Sequence, residues 1–457
     1  MSYSHHPSSY RDPSGFLFYM DGILYRQVNK TYKADFEQLM KSGLYDQLIK
    51  QGQIISHQRT NSNFTGSEEH YITIQPELLP YVSHPCEWSF DMLKDAALAT
   101  LQLAEEGIKY KMLLKDASAY NIQLHEGRMK LIDSLSFERY DEHKPWIAYR
   151  QFCEHFFAPL ALMHYSQKPL QQLLLAYPEG VPLHIAGKLL PGRSRFNLNV
   201  YLHIHLQSRV SQKAHSTQKP QQAFSAAKLK NILRSLREAI QSFRLNHPTG
   251  VWSDYYNEAA QRENYLSTKK QIIDGWISKM DIDKAIDLGA NEGEFSKLLW
   301  SKDIYTISAD FDHYSINNLY KKIKTEALAK VHPVIIDLAN PTPAYGVNNV
   351  ERASFINRSK TDLVLALALV HHLAIGKNIP FEGIVQLFKS LGKHLIIEFV
   401  PKEDEKIGLM LLNRTDIFNG YNEQNFIKAF TAHYKILDQK SIGDSGRTLF
   451  LMQLHEA

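Results

Sequence analysis

The sequence predicts a two-part protein, an open α/β sheet in the C-terminal half preceded by an α+β domain. Three observations predict it. From about residue 249, five apolar runs alternate with helical patterns, and polar residues close each run. The first run, Ala285-Ile286-Asp287-Leu288, passes through a turn from Gly289 to Gly293 into an amphipathic stretch with a Phe295/Leu298/Leu299 face. That is the strand, turn and helix of a nucleotide-binding βαβ unit. Finally, 457 residues exceed what one ordinary core organises, so two domains or more are expected.

Composition narrows the class. Hydrophobic residues make up 44% and charged residues 22%, as in a globular protein. The net charge of +4 is spread over many residues without a long basic block, so nothing argues for nucleic acid. Cys86 and Cys153 are far apart and make neither a metal pattern nor a disulfide framework, which points to a reducing compartment. No charged start followed by an apolar core opens the chain, so no secretion signal is expected. No apolar stretch approaches the ~20 residues of a membrane span. A cytoplasmic protein with no membrane partner and no bound metal is the expectation.

Residues 1–14 are polar and turn-rich and read as a loose tail. Residues 16–28 alternate about Asp21-Gly22, a hairpin signal. A helix is expected over 32–50 and an extended piece over Tyr71-Ile72-Thr73-Ile74. Pro76, Pro80 and Pro85 keep the next stretch non-helical, and a second helix follows over 89–106.

The segment from Leu113 to Asp133 carries chemistry. Asp116 and Asn121 lie five apart, and a short hairpin turning at Glu126-Gly127 ends in Asp133. This resembles the catalytic loop and metal-binding strand of protein kinases and small-molecule phosphotransferases. The resemblance implies that Asp116 would receive a hydroxyl proton, while Asn121 and Asp133 would hold magnesium on the phosphates. The chain departs from the pattern. Leu114-Lys115 replaces His-Arg, Ser134-Leu135 replaces Phe-Gly, and no glycine-rich loop or third-strand lysine stands upstream. Three readings remain: a degenerate module kept for binding or structure, which the departures favour, a working atypical phosphotransferase, and a chance match.

Residues 146–165 read as a buried aromatic-rich helix, with another near 169–176 and a turn at Pro191-Gly192. His203 and His205 in Leu202-His203-Ile204-His205-Leu206 would share one face of a strand, the spacing of a metal pair. No third ligand is near in sequence, so two core histidines are expected. Residues 208–223 read as a linker, and a helix with Leu229, Ile232, Leu233, Leu236 and Ile240 follows. The expected division is a kinase-like domain over 1–207, linker and helix over 208–248, and a second domain over 249–457.

In that second domain, Gly289 and Gly293 allow a sharp bend against which a ligand can lie. A dinucleotide fingerprint would need glycine at Asn291 and Glu294 and is excluded. Asp310 closes the run Ile304 to Ala309, 21 residues after Gly289, where an acid can hold a ribose diol. Val334-Ile335-Ile336 ends in Asp337. Thr361 to Val370 runs into His371-His372, and His394 to Ile397 into Glu398. Asp312 reads as a solvated loop residue. A final strand pair is expected over Tyr434 to Leu437 and Arg447 to Met452.

The pattern Asp287-Leu288-Gly289-Ala290-x-x-Gly293 with this element order resembles class I S-adenosylmethionine-dependent methyltransferases, Rossmann-like enzymes with an antiparallel last strand. The resemblance covers 249–457. More narrowly, Leu114 to Ser136, His371-His372 and Ile397-Glu398-Phe399-Val400-Pro401 are similar to a bacterial methyltransferase family related to nodulation proteins. The resemblance implies S-adenosylmethionine as cofactor. Gly289, Ala290, Asn291 and Gly293 would cradle its methionine and ribose part, and Asp310, next to Phe311 in the same site, would take the ribose hydroxyls. Asp337 would bond the adenine amino group, and Asp287 would contact or orient the methionine ammonium. On the acceptor side, His371 or His372 would remove a proton, one of the two facing the pocket, with Glu398 the next candidate. Trp252, Tyr255 and Tyr256 would cover the donor or simply pack. The expected activity is methyl transfer to an oxygen or nitrogen of a small-molecule or saccharide acceptor. The alternatives are an enzyme that phosphorylates and then methylates, and a non-catalytic scaffold.

Overall fold

The computed structural model describes residues 3–209, 225–247, 263–412 and 415–455, so Trp252, Tyr255, Tyr256 and most of the expected linker lie outside the described residues. The chain forms two compact units. One comprises Met1–Asn246 with the excursion Ala344–Arg352, the other His247–Pro343 and Ala353–Ala457.

The first unit opens with a five-stranded antiparallel sheet of β1 (Tyr3–His5), β2 (Gly15–Met20), β3 (Ile23–Asn29), β4 (His57–Thr60) and β5 (His70–Pro76), in the order β1-β2-β3-β5-β4. Asp21 and Gly22 take φ of 51° and 78°, the left-handed pair that a two-residue hairpin between β2 and β3 requires. The single helix expected over 32–50 is two, Lys33–Lys41 and Leu44–Lys50, because Gly43 at φ 83° turns the chain between them. Val28 and Ile74 of the sheet pack on Tyr32, Phe36 and Leu135.

The long helix Phe90–Lys109 then leads to β6 (Met112–Leu114), β7 (Ile122–His125), β8 (Arg128–Leu131) and β9 (Phe137–Arg139). Here β7 pairs with β8 as a hairpin and β6 with β9. These elements make the α+β domain that the sequence predicts. The helix Ala226–Ser242, which falls in the expected connecting segment, packs on Phe90–Lys109. It buries Leu229, Leu233 and Leu236 and sets Arg237 at 2.7 Å from Glu105.

Two further local expectations fail. The expected loose tail over 1–14 contains β1, which pairs with β2. His203 and His205 lie on a helix over 198–209 with a π-helical turn at Tyr201–Leu206, not on a strand. Both are buried core histidines. His203 is hydrogen-bonded with the Tyr149 hydroxyl at 2.7 Å and the Ser235 hydroxyl at 2.8 Å, and His205 with Ser194 at 2.8 Å. Burial pushes His203 down to about 4 and lowers His205 as well.

The second unit is a seven-stranded sheet of β10 (Lys284–Leu288), β11 (Tyr305–Asp310), β12 (Val331–Ile335), β13 (Thr361–Ala366), β14 (Gly392–Phe399), β15 (Tyr434–Ser441) and β16 (Thr448–Leu454). Its order is β12-β11-β10-β13-β14-β16-β15. The first five strands are parallel and β16 runs antiparallel to both neighbours, as in the predicted class I methyltransferase sheet. The order reverses between β10 and β13, so the crevice for a ligand opens at the carboxyl ends of these strands. Ile273, Trp276 and Ile277 of the helix Glu263–Ile277 join Ala285, Leu363, Leu365 and Ile396 in one core. Among the described residues no helix is long and apolar enough to cross a membrane.

Candidate functional site

At the carboxyl edge of β10 and β11 the glycine turn is fastened to its neighbour strand. The amides of Gly289 and Ala290 both donate to the Ala309 carbonyl, at 2.8 and 3.1 Å. Gly289 and Asn291 take φ of 74° and 49°, so the turn doubles back rather than continuing the strand. A Cβ on Gly289 would stand 3.5 Å from Leu369, whereas one on Gly293 would lie 2.5 Å from the Leu319 side chain. Gly293 is thus required by helix packing, and Gly289 by the turn itself.

Asp310 faces this turn. One of its oxygens accepts the Asn291 amide and the other the Asp312 amide, each at 2.8 Å, and the residue is only 9% exposed. Burial raises its pKa above the usual carboxylate range, against these hydrogen bonds. Each oxygen keeps a lone pair for a ligand hydroxyl. Asp312, expected as a loop residue, caps the helix His313–Glu326 by accepting the Tyr314 and Ser315 amides.

Asp287 lies behind the turn, buried in β10. It accepts the Ser296 hydroxyl at 2.7 Å, and Ser308 donates to Ser296 at 2.8 Å. Burial pushes its carboxyl up to about 6, and the negative field of Asp310 adds to the rise. Asp337 is half-exposed beyond β12, with Lys377 Nζ at 3.0 Å from Oδ2 and the Ala339 amide on Oδ1. Phe311 is 67% exposed beside Asp310.

His371 and His372 begin the segment after β13, their rings 4.2 Å apart. His371 is buried, and its Nδ1 has no hydrogen-bond partner among the described residues. Burial, then the neighbouring His372 and Arg447, pushes its pKa down to about 3. His372 is less buried and opens a π-helical turn, His372–Gly376; burial lowers its pKa too.

Glu398 does not suit the role of a base. It is fully buried, Lys269 Nζ donates to Oε2 at 2.5 Å, and Oε1 accepts from the Tyr265 hydroxyl and, at 3.2 Å, from Arg447. Arg447 also clasps Asp404 at 2.8 and 3.1 Å. These cations and donors outweigh desolvation and hold the Glu398 carboxyl below its ordinary range. With two cations and a hydroxyl donating to its oxygens, it fastens the helix Glu263–Ile277 to β14 and to the start of β16. The sequence reading missed Tyr265, Lys269 and Arg447. Their only local signal is the i, i+4 spacing of Tyr265 and Lys269 on one helix face.

Comparison with known proteins now places the chain. Over 468 aligned residues, covering 98% of this chain and 96% of the other, it is 31% identical to nodulation protein NoeA of Rhizobium meliloti (strain 1021). The chain belongs to the NoeA family. No protein-family model matches this NoeA-family chain. Among solved structures, WbdD is similar over 43% of this chain and 40% of its own length, at 17% identity and a TM-score of 0.30. A putative O-methyltransferase from Nostoc punctiforme PCC 73102 is similar over 41% of this chain and 56% of its own, at 16% identity and a TM-score of 0.32. Magnesium protoporphyrin IX methyltransferase from Synechocystis PCC 6803 covers 46% and 90%, at 16% identity and a TM-score of 0.31.

In the first unit of this NoeA-family chain, the three expected kinase-like residues lie on adjoining segments. The Lys115 amide donates to the Ser136 carbonyl and the Ile132 amide to the Asn121 carbonyl, each at 2.8 Å. Asp116 Oδ1 accepts from the Ser118 amide and Gln151, and Asn121 donates to Ser136. Asp133, however, is already paired. Arg26 of β3 brings Nη1 to 2.7 Å from Oδ1 and Nη2 to 3.2 Å from Oδ2. A fixed guanidinium therefore neutralises the carboxylate that a magnesium ion would need. Calorimetry should accordingly show weak ATP binding that magnesium does not improve. Tight magnesium-dependent binding lost in Asp133→Asn would reverse this.

Proposed function

We propose that the second unit transfers a methyl group from S-adenosylmethionine to an oxygen or nitrogen of a small-molecule or saccharide acceptor. The observation that carries this is Asp310, a buried carboxylate at the tip of β11 whose two oxygens are oriented by backbone amides from the turn after β10 and the start of the next helix. Such an acid beside a glycine turn fits a ribose diol. The turn from Gly289 to Asn291 would hold the methionine and ribose part, and Asp337 would reach the adenine amino group. Phe311 offers an aromatic face beside them. Bound there, the donor would supply an electrophilic methyl group on a positively charged sulfur.

Asp287 would balance that positive ligand. Because its carboxyl titrates at about 6, it is largely protonated below that pH and ionised above it. A cationic donor favours the ionised form, so donor affinity should rise between about pH 5 and pH 7 and then level off. Asp287→Asn should flatten the profile, as read by calorimetry across pH.

Of the two histidines, His372 suits proton removal better. It is neutral at physiological pH and not sealed off, while His371 at about 3 is too weak a base and serves to position its neighbour. His372→Ala should lower single-turnover methyl transfer by about 100-fold with donor affinity unchanged. His371→Ala should act mainly on thermal stability. Labelled S-adenosylmethionine incubated with a cell extract tests the function itself. No labelled product, or binding of NAD in place of S-adenosylhomocysteine, would end this reading. Phosphorylation before methylation is not favoured, because Arg26 occupies Asp133.

A further inference from the structure

We propose that the surface over residues 188–209 of the first unit docks the protein on a membrane surface rich in anionic lipid. Two independent features of the segment point to it.

The first is apolar exposure. Phe196 is 91% exposed, Leu198 68% and Leu189 58%, all around the turn that leads into the helix over 198–209. Along that helix Leu198, Leu202 and Leu206 follow one another at successive turns on the outer side, the latter two 37% exposed. Val200, His203, Ile204 and His205 occupy the buried side. The helix therefore turns leucines outward at positions where an ordinary surface helix turns polar residues.

The second is charge. Between Glu179 and Glu238 the chain carries ten lysines and arginines and no aspartate or glutamate. With a total of +4, the rest of the chain is net negative; four of the ten bases lie within residues 188–209, and no consecutive basic block exists. Lys188, Arg193, Arg195 and Arg209 are exposed beside the apolar side chains. The buried histidines, held neutral by burial, do not alter this balance.

Together these features select the occupant. Apolar tips flanked by bases fit acyl chains under anionic headgroups, with the arginines reaching to headgroup level. A nucleic acid or anionic polysaccharide would satisfy the charges and leave Phe196 and Leu198 in water. A second copy would bring like charges together across an isologous contact. The stretch 210–224 adds Lys213 and Lys219 and offers only Val210 and Phe224 as large apolar side chains, a poor cover of the same sign.

The test uses the full chain and sedimentation with vesicles of phosphatidylcholine, with or without phosphatidylglycerol. Binding is expected to the anionic vesicles, weakening with salt, and little to the neutral ones. Arg193→Gln with Arg195→Gln should reduce partitioning roughly 30-fold, and Phe196→Ser about tenfold. Both changes are at exposed positions, and unchanged thermal melting verifies the fold. Phe196→Trp should shift its fluorescence to the blue on vesicle binding. Three results would overturn the proposal: no vesicle binding, wild-type vesicle binding by Phe196→Ser with loss only in the arginine pair, or a dimer in light scattering that Phe196→Ser dissociates.

Discussion

Asp310→Ala should weaken S-adenosylhomocysteine binding on the order of 10³-fold in titration calorimetry. Two charge-assisted hydrogen bonds to a diol, at about 1.5–3 kcal/mol each, would be lost in a site that cannot replace them. The Asn291 and Asp312 amides would lose their acceptor at the same time, which loosens the turn. Asp310→Asn should fall between the two, since an amide oxygen replaces only one of the two acceptors. Unchanged affinity in the alanine variant would remove Asp310 from the site.

Glu398→Ala should destabilise the second unit by about 3–5 kcal/mol, because it leaves Lys269 and Arg447 buried without their shared counter-charge. At about 2–4 °C per kcal/mol for a unit of this size, its thermal transition should move down by roughly 10 °C. The double change Glu398→Leu with Lys269→Met, which removes charge from both sides, should cost less than Glu398→Ala alone. If Glu398→Ala melts like the parent while methyl transfer stops, Glu398 is a base and its role as a clamp is wrong.

The contrast between these residues marks what the sequence made legible. Asp310 could be found because strand ends follow from apolar periodicity and the acid recurs at a fixed distance from the glycine turn. The clamp could not, because Lys269 and Arg447 reach Glu398 across 129 and 49 residues, and no local pattern encodes such a meeting. Arg26 stood in view. Alternation in β3 puts it on the same face as buried Val28, and an inward base on a hairpin strand implies a buried acid partner. The run Leu202 to Leu206 misled for a different reason. Its period-two alternation suits a strand, yet the buried side chains around it are supplied by other helices, and packing overrode the pattern. Of the kinase-like features, the spacing of Asp116, Asn121 and Asp133 placed three residues on adjoining segments, while the partner that occupies Asp133 lay 107 residues away.

The buried group of Lys269, Glu398, Arg447 and Asp404 also constrains how this chain can drift. A domain's whole stability is about 5–15 kcal/mol, so losing one of the four charges removes a large share of it at a stroke. A lineage cannot cross that deficit one codon at a time without first gaining stability elsewhere. Among descendants the four positions should be inherited as a block or exchanged in matched pairs, and an ancestor lacking one member should lack its counterpart as well.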